Sequence, residues 1–486
     1  MMTSAIDRRT FLGSGLAAAA AVAVPTPVLA GGTGPDWRLG VVDIPGDIPP
    51  SRLRLVQGKC PAGLRGTLYR NGPARFRRGG TASGHWFDGD GLIRSWRIDD
   101  AGARLAARFV DTPKRRQEEK LERMVIPGFG TPAGKGVAIG NNDDTNPANT
   151  SIIRAGNDLL ALWEAGSPVA IDPETLATRG FRTLGPNLDH MPFLAHPRVE
   201  PDGRIWNLGL NGKSALVWRL SANGALEATQ LVALPRSSYL HDFTATARHL
   251  VIVLQPWIQD KFDLPFVNSL SWRPELGTQV LVIDKDDLTK RRLYDLPTFA
   301  FFHLGDAWEE RDGTIRFDGC FEENPSFGQH AARALVAGLH IPGPMPILSM
   351  VALHPDGKAS LTSAGIDAEF PRVDPRIAGL PRTKTVHVGG YSRDRPFAQS
   401  VGIWDWARGR RDSFRLGRDH LVEEFVPVAD RDDARRSWLV GTSVNLKARA
   451  TELHVFDSSR VAAGPVCTWR ADVALPVGFH GSFVAA

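Results

Sequence analysis

Four short segments of this chain carry a histidine beside an apolar, strand-like run: AHP at His196, LHDF at His241, FFHL at His303 and FHGSF at His480. Pro, Gly or Asp stands close to each, so each imidazole is expected near a strand end. Histidines so far apart cannot build a local motif such as HxxxH. They converge only in a fold that gathers strand ends on an axis, as a propeller or barrel does. Neutral nitrogen donors with no carboxylate or thiolate among them suit a borderline divalent ion, with iron and zinc as candidates.

The text around these histidines is distinctive. YRNGPARF (Tyr69 to Phe76) is followed by HWFDGDG (His85 to Gly91). AHPRVEPDGRIWNLG begins at Ala195, HDF at His241, SWRPELGT at Ser271, FFHLGDAWEE at Phe301 and EFPRVDPR at Glu369, and GFHG closes the series. In kind and order these segments resemble the carotenoid cleavage oxygenase family, from about residue 40 to the carboxyl terminus.

The resemblance implies an all-β fold, a seven-bladed β-propeller whose long loops and short helices cap a metal axis. Residues 31–486 would form it as a single domain. It further implies one iron(II) per chain, held by His196, His241, His303 and His480. Glutamates would pin three of the imidazoles, since a ligating histidine needs its second ring N–H fixed by an acceptor. Matching text gives Glu164 in LLALWEAG, Glu369 in AEFPR and Glu424 in LVEEFVP. Glu423 is the alternative to Glu424. Neighbours on a strand face opposite ways, so only one of the two points at the axis. The family usually shows an acidic residue, two further residues and Phe, whereas here Phe425 follows Glu424 directly. Thr150 stands where the family can block one coordination position of the iron, and it reads equally well as a residue capping a strand entry.

The implied reaction is cleavage of a conjugated C=C bond by O2, the co-substrate, to give two carbonyl products. No acid–base residue is required, and the protein's part is to place one alkene and keep out water. The expected substrate is an apolar polyene, with Phe302, Trp257 and Phe479 as candidate tunnel walls. Lignostilbene-type members bind a phenol through a lysine and a tyrosine that follows a V-x-T segment. Here Val110-Asp111-Thr112 is followed by Pro113-Lys114-Arg115-Arg116 with no tyrosine, which favours a carotenoid or apocarotenoid. The alternatives are a stilbene dioxygenase, a non-oxidative isomerase with the same ligands, and a propeller that serves only as a binding scaffold.

The chain's remaining features fit this frame. Its 486 residues are 42% hydrophobic with 49 Gly and 35 Pro, enough core and turn formers for one large all-β domain. Eight runs read as strands: GTLYRNGP, LIRSWRIDDAG, LLALWEAGSP, RIWNLGLNG, HLVIVLQPW, TQVLVIDKDD, SWLVGTSVN and TELHVFDSS. Asp36 to Gly58 reads as an irregular lead-in, and Lys114 to Met124 as a charged surface helix. Asp88-Gly89-Asp90-Gly91 is expected to fix a tight turn by Asx-type bonds and positive φ. Three cysteines, Cys60, Cys320 and Cys467, make neither a disulfide framework nor a thiolate site. No GxSxG, HExxH or Walker sequence is present, and Gly134-Lys135-Gly136 with Gly140 has the wrong spacing for a dinucleotide fingerprint.

Residues 1–30 read as a removable leader. Asp7-Arg8-Arg9-Thr10-Phe11-Leu12 is a twin-arginine signature, followed by an Ala/Val stretch and by Val28-Leu29-Ala30 at the cleavage position. That route exports folded, cofactor-loaded proteins, so a periplasmic or otherwise exported enzyme is expected. The net charge of +5 comes partly from Arg75-Phe76-Arg77-Arg78 and Lys114-Arg115-Arg116. Such clusters suit scattered surface charge or peripheral contact with an anionic membrane during substrate uptake. They lack the aromatic interleaving of a nucleic-acid binder.

Overall fold

The computed structural model describes residues 36–486. The twin-arginine leader lies outside the described residues. Seven antiparallel sheets of four or five strands form a seven-bladed β-propeller. All eight runs expected as strands are strands, among them Leu92–Asp99, His249–Leu254 and Ser437–Asn445. Their burial follows their place in a blade. Gly102–Phe109 alternates between buried and exposed positions. His249–Leu254 is buried almost throughout because its blade is covered on both faces. Ala359–Asp367, at an outer edge, is largely exposed.

The innermost strands, in chain order, are Ser151–Ala155, Arg198–Val199, Thr244–Ala245, Ala300–Glu309, Glu369–Arg372 and His420–Ala429, with Gly481–Ala485 completing the ring. The last of these pairs with Gly66–Arg70, so the carboxyl-terminal strand closes the first blade. The lead-in is more regular than expected. Ile48–Arg52 forms the outer edge of the first blade and Arg54–Gly58 the outer edge of the seventh. Short, mostly exposed edge strands can contain proline, so IPPSR gives little strand signal in the sequence.

The core lies between blades, where facing sheets interdigitate. Leu68, Trp96 and Leu105 of the first blade pack against Val440, Leu453 and Trp469 of the seventh. Equivalent clusters fill the other interfaces, such as Val251, Val280 and Tyr294 against Phe301, Phe317 and Val351. Two further clusters belong to the cap. One joins Trp37, Trp86, Leu335, Phe397 and Phe479. The other joins Tyr239, Trp257, Val267 and Phe302.

Helix Pro113–Leu121 begins one residue before the expected start and ends three before the expected end. It is only partly a surface element. Lys114 and Glu118 are buried, and Lys114 Nζ lies 3.0 Å from Asp90 and 2.8 Å from Glu118. Arg78 joins the same buried group through Asp90. The DGDG run likewise works differently from the expected turn. Asp88 accepts hydrogen bonds from the backbone N–H groups of Phe129, Gly130 and Thr131, tying a distant cap loop in place. Gly89 and Gly91 are required for close approach instead of positive φ. A Cβ at Gly89 would stand 2.7 Å from the Phe76 ring, and one at Gly91 would stand 2.3 Å from the Ala148 carbonyl.

Candidate metal centre

The fold brings His196, His241, His303 and His480 together, with one donor atom of each within 4.8 Å of all the others. His196 and His241 Nε2 are 3.0 Å apart, and His303 and His480 Nε2 are 3.1 Å apart. Each histidine reaches the axis from a different blade. His196, His241 and His480 precede the innermost strands Arg198–Val199, Thr244–Ala245 and Gly481–Ala485, while His303 lies within Ala300–Glu309.

Glutamates pin three of the four rings through Nδ1. Glu164 pairs with His241, Glu369 Oε2 lies 2.5 Å from His303, and Glu424 Oε1 lies 3.0 Å from His480. These acceptors hold the proton on Nδ1 and leave Nε2 as the free donor. Among the described residues, no carboxylate pairs with His196. The glutamates are themselves fixed: Glu164 accepts from the Tyr239 hydroxyl at 3.1 Å, Glu369 from Phe370 N at 2.7 Å and Glu424 from Gly481 N at 2.8 Å.

Glu423 turns away from the axis. It accepts from Arg94, from the Thr442 hydroxyl and from Gly478 N, with Arg70 Nε 3.8 Å away. Both glutamates are essentially fully buried, so neither belongs to a solvated strand edge. A register shift between Val422 and Phe425 marks a bulge there, and the two carboxylates diverge from it.

The electrostatics favour neutral imidazoles. Burial pulls His196 well below the ordinary histidine range, and the three neighbouring rings reinforce the effect. Burial also pulls His480 down to about 3, against the opposing pull of Glu424. Burial disfavours the charged form of His303 too, but Glu369 leaves it above its usual value. A cation on the axis would oppose that protonation. Burial raises the cost of charge on Glu424, yet Arg372, His480 and Arg70 hold its carboxyl down to about 2.

The donor set fits one small divalent ion. Nitrogens held about 2 Å from such an ion stand roughly 3 to 4 Å from each other, and the two close pairs begin that range. With Nδ1–H donated to a glutamate, the neutral forms of His241, His303 and His480 aim Nε2 lone pairs at one point, an arrangement that a cation stabilises.

Two residues with no signal of their own in the sequence complete the frame. Arg198 donates to Phe243 O at 2.6 Å, Gly305 O at 2.8 Å and Asp242 Oδ1 at 2.6 Å. It thereby ties together positions two residues beyond His196, His241 and His303. Phe370 holds a left-handed φ of 53° and stacks its ring 4.9 Å from that of His303. A bulky residue in that conformation is strained and marks a local constraint. Both belong to the family-like segments, Arg198 in AHPR and Phe370 in EFPR, but neither residue type signals a metal site by itself. His190 and His249 are elsewhere, paired with Asp143 and Glu309.

A cavity reaches the centre from the capped side. Phe302 and Phe479 line it, as do Thr150, Trp163 and Phe370. Thr150 donates to Asn149 Oδ1 at 3.0 Å and stands at the entry of Ser151–Ala155. Trp257 sits behind this wall, packed against Tyr239 at 4.8 Å between ring centroids. On the opposite side a more polar cavity meets His196, His303 and His480 past Arg198 and Arg372.

Residues 43–485 match the model of the family described as RPE65, retinal pigment epithelial membrane protein. The chain belongs to this RPE65/carotenoid cleavage oxygenase family. It is 28% identical to apocarotenoid-15,15'-oxygenase of Synechocystis sp., over 92% of this chain and 94% of that one. It is 26% identical to resveratrol cleavage oxygenase 1 of Aspergillus fumigatus, over 91% and 93% of the two chains. The fold matches the crystal structure of cobalt-substituted Synechocystis ACO with a TM-score of 0.84 at 23% identity, covering 93% of this chain and 98% of that one. Family members of this kind are oxygenases that cut carbon–carbon double bonds.

Proposed function

We propose that this chain is a non-haem iron(II) dioxygenase that cleaves a conjugated double bond of a carotenoid or apocarotenoid. The observation that carries this reading is an aromatic-walled cavity that ends at four convergent, carboxylate-pinned imidazoles. His196, His241, His303 and His480 would hold the metal. When bound, iron(II) supplies the chemistry by which both atoms of dioxygen add across the double bond to give two carbonyl products.

The chain's own residues do the rest. Phe302, Phe370 and Phe479 offer flat apolar surfaces to a polyene and exclude water from its reacting end. Thr150, which lines the cavity, would restrict access to one position of the metal. The lysine and tyrosine expected of a stilbene-type member after the V-x-T segment are not supplied there, since no tyrosine follows and Lys114 is buried against Asp90 and Glu118 away from the cavity, which supports a polyene over a hydroxystilbene. Leu339, Ile341 and Met345 are about half exposed, and the latter two stand at the cavity rim. They support peripheral contact with a membrane that holds such substrates. Among the described residues, no helix is long and apolar enough to cross one.

Iron-loaded protein incubated aerobically with an apocarotenal and, separately, with a 4-hydroxystilbene should yield cleavage products from the apocarotenal. Cleavage of the stilbene alone would reassign the substrate. Export is part of the same reading: changing Arg8 and Arg9 to Lys should strand precursor in the cytoplasm, whereas undiminished periplasmic protein would exclude the twin-arginine route.

A further inference from the structure

Glu322 ends the strand Ile315–Glu322 and pairs in register with Ala300, three residues before His303 on the adjoining strand. Its side chain lines the cavity that leads to the four histidines, and the residue is only 6% exposed. Its Oε2 is buried and has no hydrogen-bond partner. An unpartnered buried carboxyl destabilises a fold, and nearly all such groups find partners. Cleavage of a double bond in this site needs no acid or base from Glu322.

A polyene poses a problem that aromatic walls do not solve. Its double bonds are nearly identical, so apolar contacts hold it about equally well when it slides by one repeat. A single polar anchor at a fixed place removes that degeneracy, since a buried hydrogen-bonding group left unpaired penalises every wrong register.

We propose that the Glu322 carboxyl anchors the oxygen-bearing end of the polyene, donating to its terminal carbonyl, and so sets which double bond meets the metal centre. This rests on the oxygenase reading above. Burial pushes the Glu322 carboxyl well above its ordinary range, and nearby Glu369 adds to the effect, which favours the protonated, donating form. Tyr391 lines the same cavity, and burial keeps its phenol protonated as well. Glu322 and Tyr391 thus add donor O–H groups to a largely apolar wall that also carries Thr150 and Ser392.

The test is anaerobic binding, read by quenching of tryptophan fluorescence, of a polyene aldehyde and of the hydrocarbon polyene of equal length. Wild-type protein should bind the aldehyde about tenfold more tightly, the scale of one buried hydrogen bond. Glu322→Leu should erase that preference without lowering the melting temperature, since it removes an unpartnered carboxyl. Glu322→Gln, which keeps a donor, should retain most of the preference. Equal wild-type affinities, or a Leu variant that keeps the preference, would overturn the proposal. A Leu variant that melts earlier with the preference intact would overturn it too, by making Glu322 structural. Selective aldehyde binding without cleavage in air would count against the oxygenase reading alone.

Discussion

At the residue scale, the divergence of Glu423 and Glu424 separates two jobs that the sequence places side by side. Glu424 accepts from the His480 ring, while Glu423 neutralises Arg94 and Arg70 in the interior. Glu424→Gln should lower iron affinity or activity by about 10- to 100-fold, as losses of such partners typically do, and should also lower the melting temperature, because Arg372 and the buried Arg70 lose a charge partner. Glu423→Gln should keep iron but lower stability by about 3 kcal/mol, because it strands buried arginines. Iron content and melting temperature measured on both variants check this. The reverse pattern would mean that Glu423 is the ring's acceptor. The four histidines were legible through the family-like segments around them, since His249 and His420 also begin strands yet pair elsewhere with Glu309 and Glu452. The partners of Glu423 were not, since nothing near LVEEFVP encodes Arg94 or Thr442, which come from other strands.

At the scale of elements, strands covered on both faces were the easiest to read. HLVIVL and TQVLVID have only one plausible place, between two other blades. The edge strands Ile48–Arg52 and Arg54–Gly58 were illegible because an exposed edge demands little of its side chains. The middle strands Lys384–Gly389 and Ala450–Asp457 each bury a histidine. Burial pulls His387 down to about 4, helped by Arg411, and pulls His454 down to about 3 despite Glu452. Unfolding restores each to an ordinary value near 6.5, so the unfolded chain binds more protons below that pH. Stability is therefore present above about pH 6.5 and declines as pH falls toward 4, by about 1.4 kcal/mol per pH unit for each such group. His303, Glu322, Asp242 and Asp306, each held above its ordinary value, oppose the trend. The contribution of the two rings is therefore read by difference: between pH 7 and pH 5 the melting temperature should change more unfavourably in the wild type than in a His387→Gln, His454→Gln variant. An equal change in both proteins would show that these rings protonate freely in the folded state.

At the scale of the whole molecule, the propeller turns four distant segments into one site. The chain's last strand closes the first blade immediately after His480, so ring closure and placement of the fourth imidazole are one structural event. Arg198 links the segments that carry the other three. The centre is therefore a property of the completed ring. In the proposed reaction this centre adds both atoms of dioxygen across one double bond. The most direct measurement is the mass of the products formed by iron-loaded protein from an apocarotenal under 18O2, with carbonyls reduced at once to alcohols to block exchange with water. Two fragments are predicted, each carrying one heavy oxygen, and neither should form with the His303→Ala variant. Intact substrate, or fragments in which one or both oxygens come from water, would contradict it.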